Sequence, residues 1–579
     1  MKRTLNFRIY ISILFLPAII TSCHYGPGKQ ADKGGQYTIP TAMCVPVTND
    51  RAWYEENKKA PLFEGLDGVN FEVTTGIDEA RKYFRQGMML TYGFNHAEAA
   101  RSFYQVTRED PGCAMGYWGH AYVLGPNYNA PMDPEDVERA YEATQKAFEL
   151  MEGASPKEKA LIKALQAKYV KESPVDRSEL DRAFAEAMRN VYQQFPDDPD
   201  IGALFAESLM NLHPWDLWTK DGNAQPWTGE IVRVLERILD ANPDHAGANH
   251  LYIHAIEASP FPEKGLKSAG VLETLVPASS HLVHMPSHIY INTGDYYKGS
   301  LSNLKAVEVD SNYADACNAQ GVFPLIYYPH NYHFLSATAT LHGDSQLAMK
   351  AGFKMAGMMN VELMNVPDLA TMQHYYIIPY HIAVKFGMWD EILKMSNADP
   401  SMSYPESVRH YARGMAFLGK GDLVNARAEL ASLAALTTDT AIAKLTIWGI
   451  NPVSSLVEIA YKVLNGEILA LEGKYDESIA MLGEAIAIED KLQYNEPPDW
   501  FFSVRHNLGA VLVEAGRYDD AIKVYNEDLE EYPRNGWAYI GLYNAYVGSG
   551  MKDKAAAALK SYNDAWQWSD VRLHASRIL

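Results

Sequence analysis

A spacing of 34 residues recurs along this chain of 579 residues, and it constrains the fold more than any other feature. Near the C-terminus Gly509, Leu512, Gly516, Tyr518, Ala521, Tyr525 and Pro533 form one unit. A second contains Tyr546, Gly550, Ala555 and Leu559, with Gly550 standing 34 positions after Gly516. Upstream, Gly466, Leu469, Gly473, Tyr475, Ser478, Leu482 and Ala485 repeat the order. A period of this length suits a pair of helices that cannot bury its apolar face alone and must stack on its neighbours. Small residues at Gly509 and Ala521 let the two helices of a pair approach, while the aromatic and aliphatic positions fill the seam. Composition agrees with a packed chain, at 47% apolar and 21% charged residues. The 51 basic and 72 acidic side chains leave a formal charge of −21, which excludes a phosphate-neutralising nucleic-acid surface.

The spacings resemble those of the tetratricopeptide-repeat superfamily over roughly residues 76–565. The resemblance implies an all-α, right-handed solenoid with little β structure. More divergent units carry Gly87, Leu90, Ala99, Phe103 and Pro111, then Gly294, Tyr296, Asn303 and Ala306, then Gly343 with Ala348, Gly387 with Trp389, and Gly421 with Ala426. This divides the chain into a divergent solenoid over 76–440 and regular units over 441–579. Two stretches interrupt the pattern, Leu212–Thr228 and a shorter one around Ser311–Tyr328. Long loops in compact solenoids tend to be lids or binding elements. The first carries Trp215, Trp218 and Trp227, which either pin the loop to the solenoid or meet a ligand, Trp215 and Trp218 being the substrate-binding candidates.

Histidine placement is the strongest chemical signal. Register taken from Pro277, Gly294 and Tyr296 puts two first helices of repeats at about 247–258 and 281–292. His250, His254 and Glu257 then share one face, as do His281, His284 and His288, and the pair His250/His254 maps onto His284/His288 by a shift of 34. In the superfamily, positions 2, 5 and 9 of the first helix line the concave groove. Carried over, these positions are Gly247, His250 and His254; His281, His284 and His288; His330, His333 and Ala337; and His374, Ile377 and His381. Nine of these twelve are His, half of the 18 in the chain.

Two His-x-x-x-His pairs on neighbouring helices can converge on one ion, and imidazole suits zinc, copper or iron rather than calcium or magnesium. The expected metal ligands are His250, His254, His281, His284, His288 and His333. His330, His374 and His381 are expected to meet substrate or complete a second metal site, and Glu257 to act as catalytic base, ligand or ring-orienting partner. Glu207 is a second carboxylate candidate. The alternative without metal is a polar groove whose imidazoles bind an anionic or peptide ligand.

At the other end Lys2, Arg3 and Arg8 precede the apolar run Ile9–Ile20 and Thr21-Ser22-Cys23. This reads as a secretory signal over 1–22, and its end resembles the lipobox of bacterial lipoproteins, which implies cleavage before Cys23 and lipidation of its thiol. Residues 23–75 are then a tether and N-terminal segment, and the implied location is the bacterial cell envelope. An ordinary cleaved signal is the alternative. Cys44, Cys113 and Cys317 remain, allowing at most one disulfide among them. Serine-hydrolase, His-Glu-x-x-His and phosphate-loop motifs are missing. The segments Tyr117–Asn129, Asn249–Ser259 and His281–Tyr290 resemble a group of bacterial tetratricopeptide proteins without assigned activity. The expected function is metal-dependent chemistry on a small or peptide-like substrate. The alternatives are a non-enzymatic scaffold binding a protein partner through its C-terminal units and, third, a glycan-binding lipoprotein.

Overall fold

The computed structural model describes residues 35–42, 51–66, 68–172, 174, 176–317 and 326–579. The signal, Cys23 and residues 24–34 and 43–50 of the segment that follows lie outside the described residues. The described residues are mostly helical, joined by loops and with a few two-residue strands, such as Tyr37–Thr38 paired with Met395–Ser396. Successive helices pack as hairpins: Asp78–Tyr92 on His96–Glu109, Val453–Leu471 on Tyr475–Glu489, Gly536–Gly548 on Lys552–Ala565. Pairs then stack on pairs, as where Ala370–Lys385 meets Ser403–Gly419. The architecture is thus the all-α solenoid that the repeat period implies. Among the described residues no helix is long and apolar enough to cross a membrane.

The two helices predicted to carry the first histidine sets are present, with one difference. The first runs over Ala246–Ile256. The second is interrupted, as Ser280–His284 and Pro286–Thr293, because Pro286 has no N–H to continue the helical hydrogen bonds. The chain tightens there, and His288 N–H donates to the Met285 carbonyl at 3.1 Å. The predicted interruption near Ser311 is also shorter than expected, since the helix from Tyr296 continues to Cys317. Residues 318–325 are outside the described set.

Apolar residues gather into two large clusters, one reaching from Trp53 to Leu282 with Tyr327, the other built mainly from Ile291 to Leu573. A small third cluster, Ile253, Ala269, Leu272, Met285, Ile289 and Tyr290, bridges them. The histidine-bearing helices lie at this junction. The C-terminal units fold back onto the centre of the chain: Tyr296 Oη donates to the Pro533 carbonyl at 2.8 Å, and Trp537 Nε1 to the Thr340 carbonyl at 3.2 Å. Gly294, at φ 78°, permits this approach, because a Cβ there would lie 2.3 Å from the Pro533 oxygen. The concave groove is therefore covered by the chain's own last units, and its histidines are buried except His330, which is partly exposed.

Trp537 is fully buried at this contact. Trp537→Ala is expected to cost about 3–5 kcal/mol through the cavity it leaves. Val424→Ala, at an 80% exposed position, should stay within about 0.5 kcal/mol. Chemical denaturation of the two variants checks the contrast.

Candidate metal centre

The helix Ala246–Ile256 is buried on every side. Gly247 lets the helix Asp78–Tyr92 come close, since a Cβ would lie 2.4 Å from the Tyr92 ring. That approach brings the Tyr92 carbonyl within 2.6 Å of His250 Nδ1. A carbonyl only accepts, so Nδ1 carries the proton and Nε2 keeps its lone pair. Nδ1 likewise donates at three more rings. His254 Nδ1 donates to Glu257 Oε1 at 2.8 Å. His284 Nδ1 donates to Asn303 Oδ1 at 2.6 Å, and the amide's orientation is set by its Nδ2 donating to the Gly299 carbonyl at 2.8 Å. His288 Nδ1 donates to Glu257 Oε2 at 2.5 Å and also meets Glu496 Oε2.

The free faces of these rings point at one another. His284 Nε2 and His288 Nε2 are 2.8 Å apart, and His250 Nε2 and His281 Nε2 are 3.1 Å apart. Ligand nitrogens 2.0–2.1 Å from one tetrahedral ion sit about 3.3 Å from each other, so both spacings are close to those of shared ligands. His254 Nε2 and His281 Nδ1 are buried without a hydrogen-bond partner. Such an unmade bond costs about 1–3 kcal/mol.

Three groups of candidate ligands have their atoms within 4.8 Å of one another: His250, His254 and His281; His284, His288 and His330; and His254, Glu257 and His288. The first two are three-imidazole sets. The third is the link between them, with one Glu257 oxygen on each ring. Both Glu257 oxygens accept from ring N–H groups, the ring-orienting arrangement among the three roles expected of it.

Burial and the mutual repulsion of neighbouring rings hold His250, His254, His281, His284 and His330 well below the usual histidine range. His288 behaves oppositely. Burial opposes its charge, but Glu257 and Glu496 outweigh that and raise it to about 10. Burial and the charge of Glu257 push Glu496 up to about 8. A proton on His288 Nε2 thus accounts for its short approach to His284 when no ion is bound.

His330 and His333, three positions apart, face different clusters. His330 joins the second imidazole set, its ring 4.9 Å from His284. His333 turns to a separate cluster, 5.5 Å from the His374 ring and stacked on Phe501 at 5.2 Å. His374 Nδ1 lies 2.8 Å from Tyr404 Oη, and His381 packs edge-on against Trp500. Glu207 sits apart, accepting from Tyr122 Oη at 2.8 Å. In the interrupting loop Trp215 meets His254 edge-to-face at 5.6 Å, while Trp218 Nε1 and Trp227 Nε1 donate to the Ala255 and Asp216 carbonyls. Trp215 is therefore wall and Trp218 is anchor. Phe94, 4.4 Å from the His250 ring, closes another side.

Glu496 and Phe94 escaped the sequence reading. Glu496 arrives from the irregular segment before Arg505, where no repeat register exists to place it. Asn303 was visible only as a repeat marker.

Residues 512–565 match the tetratricopeptide repeat family model. No curated protein matches the chain. Among solved structures, a human IFIT1 dimer with m7Gppp-AAAA is similar at 15% identity, covering 87% of this chain and 92% of that one with a TM-score of 0.30. Yeast Tom70 follows at 12% identity, 85% and 97% coverage and a TM-score of 0.30. The APC/C hetero-tetramer Cut9–Hcn1 gives 13% identity, 87% and 77% coverage and a TM-score of 0.28. Residues 512–565 thus carry a tetratricopeptide repeat, within a chain whose described residues fold as an all-α solenoid.

These five depressed histidines, together with His96, His120, His333, His374 and His381, which burial also lowers, set the acid behaviour. Each binds a proton in the unfolded chain below about pH 6.5 that the folded protein refuses. Stability of the metal-free protein is expected to fall as pH drops below that value. His288, raised when folded, stabilises below about pH 6.5 and loses that contribution as pH rises toward 10. Denaturation of the chelator-treated protein between pH 5 and 10 should show both flanks.

Proposed function

We propose that the protein binds two transition-metal ions, one on His250, His254 and His281 and the other on His284, His288 and His330. The observation that carries this reading is the orientation of four rings, each with Nδ1 spent on a fixed acceptor and Nε2 turned inward. Ligating histidines characteristically donate their other nitrogen to carboxylates or carbonyls, which fixes the tautomer and raises ligand basicity. Neutral imidazoles favour zinc, copper or iron. Three ligands per ion leave a coordination position open, the arrangement of catalytic rather than purely structural sites. Bound ions would supply Lewis-acid chemistry if zinc and redox chemistry if copper or iron. Trp215, Phe94 and Phe334 exclude water around the rings, and the substrate class is a small or peptide-like molecule. Loading displaces the His288 proton, so affinity weakens as pH falls.

We further propose that the chain is held at the cell envelope by a lipid on Cys23. Its −21 charge would draw cations toward it. A second reading, an interaction scaffold, draws on the repeat match at 512–565.

Elemental analysis of untagged protein is expected to find about two transition-metal ions per chain after loading and dialysis. His254→Ala and His288→Ala should each lower that number. Glu257→Gln should weaken binding about 10–100-fold. Loading that is absent, or unchanged in the histidine variants, would leave the scaffold reading.

A further inference from the structure

Apart from the proposed metal centre, the C-terminal half contains a cavity of about 40 Å³. His381, Tyr411, Met415, Trp500 and Phe502 wall it, and Lys385 and Arg577 line it. Lys385 ends the helix Ala370–Lys385. Its amine lies 2.8 Å from His506 Nδ1, 4.1 Å from the centre of the Trp537 ring and 3.4 Å from the Ser576 carbonyl. Among the described residues no carboxylate forms an ion pair with it.

His506 is fixed from behind. Its Nε2–H donates to Asp528 Oδ2 at 2.9 Å, and Asn535 Nδ2 donates to the same oxygen at 3.0 Å. Nδ1 therefore presents a lone pair to the Lys385 amine. Asp528, His506 and Lys385 form a relay in which an oriented imidazole can take a proton from a nitrogen nucleophile. Burial, only partly opposed by Asp528 and Glu489, lowers Lys385 to about 7, so a large share of the amine is neutral at physiological pH. Burial also holds His506 below its ordinary value, which keeps it an acceptor.

We propose that Lys385 is a nucleophilic amine that captures a small uncharged aldehyde in this cavity as an imine. The nitrogen lone pair forms the C–N bond while the carbonyl π pair moves to oxygen. His506 takes a proton from nitrogen and returns it to that oxygen, giving a hydroxyl. The nitrogen lone pair then forms C=N as the C–O bond breaks, and the second amine proton passes through His506 to the departing hydroxyl, which leaves as water. Amine and aldehyde become imine and water, with no oxidant or reductant. An uncharged carbonyl compound fits better than a keto acid, because Arg577 is committed to Glu514 at 2.9 Å and Glu467 at 3.3 Å. The aromatic walls suit an aliphatic chain. This site is independent of the proposed metal centre.

The full chain is treated with propanal and cyanoborohydride, and modified lysines are mapped by peptide mass. Lys385 is expected to be alkylated more than about tenfold faster than exposed lysines such as Lys523, because its neutral fraction is far larger. His506→Asn should slow labelling at Lys385 while leaving Lys523 unchanged. Lys385 labelled no faster than Lys523, or not at all, overturns the proposal. Undiminished Lys385 labelling in a folded His506→Asn protein overturns the relay.

Discussion

Every nitrogen on the central histidine helices must be satisfied inside a seam that water does not reach. The helices sit where the two large apolar clusters meet, and His250 and His284 are fully buried there. An apolar side chain at these positions would simply join the clusters. Imidazoles instead require a partner for each nitrogen, at about 1–3 kcal/mol for every one left unmade. The surrounding fold supplies acceptors for one side of four rings: a backbone carbonyl, an asparagine amide and both oxygens of the Glu257 carboxylate. The close approach at Gly247, the tight turn at Pro286 and the placement of Asn303 all serve that pairing.

The charge within the seam is equally constrained. Glu257 bridges His254 and His288, and Glu496 is delivered to His288 from a distant part of the chain. Asn292 ties Glu496 in place, its Nδ2 2.6 Å from Glu496 Oε1. The C-terminal units thus do more than cover the groove, since they bring in a carboxylate that faces the imidazoles. Two acids buried beside one raised histidine hold a proton where the proposed centre would hold positive ions. That exchange of proton for metal is the electrostatic link between the chain's fold and its proposed function.

Much of the fold was legible because a period of 34 residues repeats glycine, aromatic and small residues whose packing has few solutions. The helix carrying His250 and His254 falls within two residues of where the register puts it. The site was half legible. Position along a helix identifies the face, so His250, His254, His281, His284 and His288 converge as their spacing implies. It does not say which way a face turns once the superhelix closes, and there His330 and His333 part company, one joining the imidazole set and the other stacking on Phe501. Glu496 lies in a segment without repeat register, and its partner is more than two hundred positions away, so local pattern carries no trace of it. Lys385 was invisible for a related reason. Its relay with His506 and Asp528 is assembled from three helices, and each residue alone looks like an ordinary polar position.

The central claim is that the inward nitrogens hold two ions, and anomalous X-ray diffraction from crystals of metal-loaded protein tests it directly. Data collected at the absorption edge of the loaded metal should show two peaks per chain, one among His250, His254 and His281 and one among His284, His288 and His330. A loaded crystal with no peak within coordination distance of these rings, or with the metal held by other residues, would contradict it.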